Sequence, residues 1–120
     1  MKIMTTRSAI MSIFVLIAVA TVETLACERA WVKYRNSPVC LDQFEYGDTS
    51  RSSWIRGAWY DDDHDYMVIN LDGIKYHYCR FPRSAWSGLL NAPSHGRYYH
   101  QSIKGKYDCR LGGVPDYRTD

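Results

Sequence analysis

The chain has 120 residues, 15 basic and 13 acidic side chains and a formal charge of only +2. That length holds one small domain, and so even a balance excludes a polybasic nucleic-acid binder that works by counterion release alone. The first 26 residues read as a secretory signal rather than as part of the fold. Lys2 and Arg7 precede an apolar stretch over residues 9–20, broken only by Ser12, and Thr21, Glu23, Thr24 and Ala26 lead to Cys27. This is a positive n-region, a short h-region and a small-residue cleavage site. The stretch falls well short of the roughly 20 apolar residues of a membrane-spanning helix. Cleavage is expected after Ala26, with Ala18-Val19-Ala20 as a second acceptable site. Leu25 stands at −2 from Cys27, where a lipoprotein signal carries leucine at −3, so a free periplasmic or secreted protein is expected ahead of a lipid-tethered one.

The remaining 94 residues carry their charge unevenly. Residues 27–74 hold five basic and nine acidic groups, and residues 75–120 hold eight and three. Such asymmetry suits two ordinary solvated faces, or a basic surface that meets an acidic partner. All four cysteines, Cys27, Cys40, Cys79 and Cys109, lie in this exported part. Their spacing lacks the paired C-x-x-C steps of a structural zinc site, and an even count in a short exported chain points to two disulfides. Three pairings exist, of which Cys27–Cys40 with Cys79–Cys109 is favoured.

Residues 27–51 read as an irregular arm. A short strand is predicted over residues 30–34, Pro38 breaks it, and Glu45-Tyr46-Gly47-Asp48-Thr49-Ser50 is turn material. A strand over residues 53–60 would place Trp54 and Tyr60 on one face, Ile55 and Trp59 on the other. The acidic run Asp61-Asp62-Asp63-His64-Asp65 is an exposed turn. Residues 66–71 form the next strand, Asp72-Gly73 a two-residue hairpin, and residues 74–81 a third strand. In that strand Ile74, Tyr76 and Tyr78 share one face, and Lys75, His77, Cys79 and Phe81 the other. Pro82 opens a helix with the apolar stripe Trp86, Leu89, Leu90, and Ala92-Pro93 closes it. Residues 94–107 are expected to hold one or two short elements returning to the sheet. The fold class is α+β: a small antiparallel β-meander of three or four strands with one covering helix.

Three blocks in this part agree in order with a known family. They read S-S-W-I-R-G-A-W-Y-D, then Y-M-V-I-N-L-D-G-I-K-Y-H-Y-C, then F-P-R-S-A-W-S-G-L-L-N-A-P-S-H-G-R-Y-Y-H-Q-S-I-K-G-K-Y. The chain resembles the KTSC domain, a small bacterial module found alone and at the C-terminus of some lysyl-tRNA synthetases. The Y-x-Y centre of that family matches Tyr76-His77-Tyr78, and Ser94, Gly96, Tyr98, Ile103 and Lys104 match its S-x-G-x-Y-x-x-x-I-K block. The resemblance implies no established catalytic role, with RNA binding as a suggested one. The organisation expected is a signal over 1–26, a disulfide-stapled arm over 27–51, a KTSC-like domain over 52–110 and a tail over 111–120. The signal and the cysteines depart from many members of the family.

Chemistry-bearing patterns are sparse. The aspartates at 61, 62, 63 and 65 lack the alternation, glycine and closing glutamate of a calcium loop. His64, His77, His95 and His100 lack the spacing that places two imidazoles on one helical face. Ser94-His95 is not set in a G-x-S-x-G elbow. No catalytic residue, metal or cofactor is therefore expected. Aromatic groups interleaved with basic ones are the stronger signal. Tyr76, Tyr78, Arg97, Tyr99, Lys104 and Lys106 are the candidate binding residues, a set that suits a protein interface or stacked nucleic-acid bases. Export disfavours nucleic acid. The expected role is a non-catalytic interaction module of the cell envelope whose partner is another exported protein, with RNA binding as the alternative.

Overall fold

The computed structural model describes Cys27 and residues 29–117. The segment read as an export signal lies outside the described residues. In the arm, β1 (Arg29–Ala30) pairs antiparallel with β2 (Val39–Cys40). A 3-10 turn over Leu41–Gln43 leads into β3 (Glu45–Gly47), and then come β4 (Ile55–Asp61), β5 (Tyr66–Leu71) and β6 (Ile74–Cys79). The last four strands form one antiparallel sheet in the order β3-β4-β5-β6, so each strand pairs with its neighbour in sequence. Helix α1 (Arg83–Asn91) and the single turn α2 (His95–Tyr98) follow. The chain continues through a π turn over Tyr99–Ile103 and a 3-10 turn over Cys109–Leu111. This is the α+β meander expected, in its four-stranded form.

The central strand β5 is covered on both faces. Met67 and Ile69 pack with Trp86 and Leu89 of α1 and with Tyr99 and Ile103. Tyr66 and Val68 point the other way, onto Val32, Val39 and Leu41 of the arm. The arm is therefore the second layer of the molecule rather than a loose lead. The two cysteine pairs expected are at disulfide-bonding distance: Cys27–Cys40 closes the arm, and Cys79–Cys109 ties β6 to the turn after the π segment.

Four local expectations are corrected. The 45–50 segment begins with a strand, because Gly47 lets α1 sit against β3: a Cβ there would lie 2.6 Å from Leu90 and from Trp86. The strand expected over residues 30–34 shrinks to the two residues of β1. In β4, Ile55 joins Ala58 and Tyr60 on the helix side while Trp59 faces the arm. The cause is a bulge, since Ile55 aligns with Leu71 but Ala58 with Ile69. Gly57 supplies the turn of the bulge at φ 121°, and the buried Thr49 hydroxyl donates to the Ile55 carbonyl at 2.8 Å and accepts from the Gly57 amide at 2.9 Å. Phe81 also lies on the helix side, because Arg80 at φ 53° ends β6 and turns the chain over.

The short elements after Pro93 are helical turns. Ser94 caps the first by accepting from the Arg97 amide at 3.1 Å. His95, Tyr99 and Ile103 then fall at i, i+4 and i+8 and are buried together. Arg51 fixes the preceding corner, donating to the carbonyls of Leu90, Ala92 and Pro93 at the end of α1.

Candidate functional site

Strand β6 is an edge strand, and a groove of about 590 Å³ runs along it. The strand supplies Tyr76, His77 and Tyr78 to its walls, the arm supplies Tyr34, and the chain beyond the π turn supplies Lys106 and Arg110. The disulfide places that last segment, because Cys79 ends β6 and Cys109 itself lines the groove.

Tyr34 is held outward. Its φ is 71°, in the left-handed region that aromatic residues rarely occupy, and the residue is 78% exposed. The Lys33 ammonium stands 5.2 Å from the Tyr34 ring and 5.6 Å from the Tyr76 ring, so one cation bridges two aromatic faces of the groove. Tyr78 is anchored below by a 2.6 Å bond between its hydroxyl and that of Tyr99. Burial, followed by that bond, pushes the Tyr78 phenol well above its usual range, so it is a neutral group at any physiological pH. His77 bonds through Nδ1 to the Tyr66 hydroxyl at 2.8 Å, and Arg35 donates to the same hydroxyl at 3.3 Å. Burial and then the Arg35 charge lower the His77 pKa, so the imidazole is held toward its neutral form. Asp108 is the acid in the groove, and the side chain and amide of Arg110 hold its carboxyl down at about 2.

Of the residues expected from sequence, the groove brings together Tyr76, Tyr78 and Lys106. Tyr99 is 6% exposed and belongs to the core beneath Tyr78, so it supports the groove without facing it. Tyr99 was expected as a surface binding residue; on a helical turn it is the inward residue, and Tyr98 lies against Gly88 at the half-buried edge. Arg97 and Lys104 are exposed and do not line the groove. Tyr34, His77 and Arg110 were missed. The favoured Cys79–Cys109 pair was the signal that could have found Arg110, since it requires residue 110 to sit beside the end of β6.

The remaining reactive groups are drawn into local structure. Asp61 accepts from Tyr117 at 2.6 Å and from the Asp63 amide, and bonds His64 at 2.7 Å. Asp62 pairs with Arg83, and Asp65 accepts from Tyr60. His100 lies on Trp54, and His95 turns inward to donate from Nδ1 to the Leu89 carbonyl at 2.9 Å. Ser94 is spent as a cap. Cys27, Cys40 and Asp42 come within metal-ligand distance of one another, yet both sulfurs belong to a disulfide, so the cluster offers a single carboxylate.

No curated protein matches the chain. Residues 51–107 match the family model of the KTSC domain. That stretch begins just before β4, contains the helices and ends at Tyr107, and it includes the Tyr76 and Tyr78 wall of the groove: the chain carries a KTSC domain.

Proposed function

We propose that this protein is an exported KTSC-domain module of the cell envelope that binds another exported protein and performs no catalysis. One observation carries this reading. The groove beside β6 combines exposed or half-buried tyrosines with the basic groups of Lys33, Lys106 and Arg110, the residue classes enriched where proteins meet. Two disulfides suit an oxidising compartment, and the pattern of the first 26 residues suits a route to it. Among the described residues, no helix is long and apolar enough to cross a membrane. On this reading the signal is 1–26, the arm 27–51 contributes Tyr34 to the binding face, and Val114 of the tail 111–120 lines it.

The test is capture from an envelope extract with Tyr34→Ala, Lys106→Ala and their combination, each checked for melting temperature. These side chains are exposed, so stability should move by no more than about 0.5 kcal/mol. Loss of an interface anchor should weaken capture by about 2 kcal/mol, near thirtyfold. Arg97→Ala with Lys104→Ala, away from the groove, should leave capture intact. Unchanged capture by the folded Tyr34/Lys106 variant would remove the groove from the reading. A steep salt dependence with single-stranded oligonucleotides would favour RNA instead.

A further inference from the structure

The outer edge of β6 is already paired at both ends and open in the middle. At one end the Lys33 amide donates to the Lys75 carbonyl at 2.8 Å, and at the other the Cys79 amide donates to the Tyr107 carbonyl at 2.9 Å. In an antiparallel strand the amide and carbonyl of one residue point the same way and alternate along the chain. Lys75 and Cys79 therefore face outward, and so does His77 between them. The pairing of β5 with β6 agrees, because the two-residue turn at Asp72-Gly73 is closed by Leu71 opposite Ile74. Ile74, Tyr76 and Tyr78 then bond inward to β5, leaving the His77 amide and carbonyl directed into the groove that His77 itself lines.

We infer that the partner presents an extended, acidic segment that adds to this edge as a short strand; the inference rests on the groove being the binding site. The open stretch from Lys75 to Cys79 spans roughly 13 Å, enough for about three extended residues. The central residue of the segment exchanges two backbone hydrogen bonds with His77. Its neighbours lie on the same face as the Tyr76 and Tyr78 rings, and main-chain pairing with alternate side-chain contacts is the general logic of strand addition. Charge decides the chemistry of the flanks. Lys33 and Lys106 stand beside the opening with no lining acid among the described residues to balance them, since the one acid there, Asp108, and Arg110 neutralise each other. Carboxylates on the segment complement that rim.

The experiment uses the intact oxidised protein and an acetylated Glu-Val-Glu-Val-Glu pentapeptide, followed by amide-resolved NMR and hydrogen exchange. In the free protein the His77 amide should exchange faster than those of Tyr76 and Tyr78. Saturating peptide should slow it by tenfold or more. The same peptide N-methylated at its central residue loses the donor that meets the His77 carbonyl and should bind about tenfold more weakly. Shifts at Tyr34, Tyr76 and Tyr78 with no protection of His77, or equal binding of the N-methylated peptide, would overturn strand addition and leave the groove reading in place. No response to the peptide at millimolar concentration would overturn the inference, while capture by the Tyr34/Lys106 variants judges the groove separately. Protection of His77 by an oligothymidylate rather than by the peptide would overturn both.

Discussion

The hydroxyls of Tyr78 and Tyr99 meet at 2.6 Å, one ring half-buried in the wall of the groove and the other sealed in the core beneath it. The contact links the edge strand to the π turn, 21 residues later in the chain. Replacing either tyrosine with phenylalanine leaves the other hydroxyl without its partner and should cost about 1 kcal/mol. Replacing both removes donor and acceptor together, so the double variant should lose less than the sum. Denaturant unfolding of the three variants measures the coupling, and simple additivity would show that the bond is not formed in solution.

Thr49 is the second point of leverage. Its hydroxyl, 1% exposed with the rest of the residue, satisfies the amide and the carbonyl that the β4 bulge takes out of the ladder. Thr49→Val keeps the shape and strands both groups, and should destabilise the protein by about 2 kcal/mol or more. Thr49→Ser retains the hydroxyl and should recover most of that loss. Equal melting temperatures for the valine and serine variants would contradict this role.

The Cys79–Cys109 link closes a separation of 30 residues. On the chain-entropy model, removing it with alanine at both positions should cost about 3 to 4 kcal/mol. The consequence for binding should be larger than for the sheet, because Lys106 and Arg110 belong to the segment that the link holds against β6. Non-reducing peptide mapping checks the connectivity, and calorimetry of the double variant checks the magnitude.

Glu45 and Asp108 contribute to the response to acid, together with Asp48 and Asp61, whose carboxyls are also held below their ordinary range. The Trp86 indole N–H at 2.9 Å, and then Arg83, hold Glu45 below its ordinary 4.5. Arg110 holds Asp108 at about 2 against an ordinary 3.8. In both cases the folded protein binds fewer protons than the unfolded chain. Each contribution is therefore complete above the ordinary pKa and is lost as pH falls through the depressed one. The melting temperature should fall as pH drops below 4.5 and continue falling toward 2. Glu45→Gln should flatten the upper part of that slope and Asp108→Asn the lower part; unchanged slopes in these variants would assign the acid response to other groups.

Much of the sheet was legible because its signals are local. The Asp72-Gly73 turn fixes the register of β5 and β6, and the Trp86, Leu89, Leu90 stripe marks the helix. What escaped depends on contacts distant in sequence. Ile55 and Phe81 were placed on the wrong faces because a bulge held by Thr49 and the left-handed Arg80 interrupt the two-residue alternation. Tyr99 reads as a surface residue because its inward direction follows from a helical turn that the polar, Gly-punctuated segment after Pro93 does not announce. Part of the groove was visible in Tyr76, Tyr78 and Lys106. Tyr34 was not, since nothing in residues 27–51 states that the arm folds back beside β6; the bond from the Lys33 amide to the Lys75 carbonyl does.

The order of pairing in the sheet also governs how the chain reaches this state. β3, β4, β5 and β6 join only sequence neighbours, so the sheet can form through a succession of short loop closures, each entropically cheap. The distant closures dock the arm and the C-terminal half onto that sheet, as where Lys33 bonds Lys75, Tyr117 reaches Asp61 across 56 residues and Cys109 reaches Cys79 across 30. Hairpin amides should accordingly gain protection early in refolding, with the end of the chain docking afterwards. Thiol oxidation then acts as a latch on a scaffold already assembled, and the groove beside β6 becomes one of the last features of the molecule to mature.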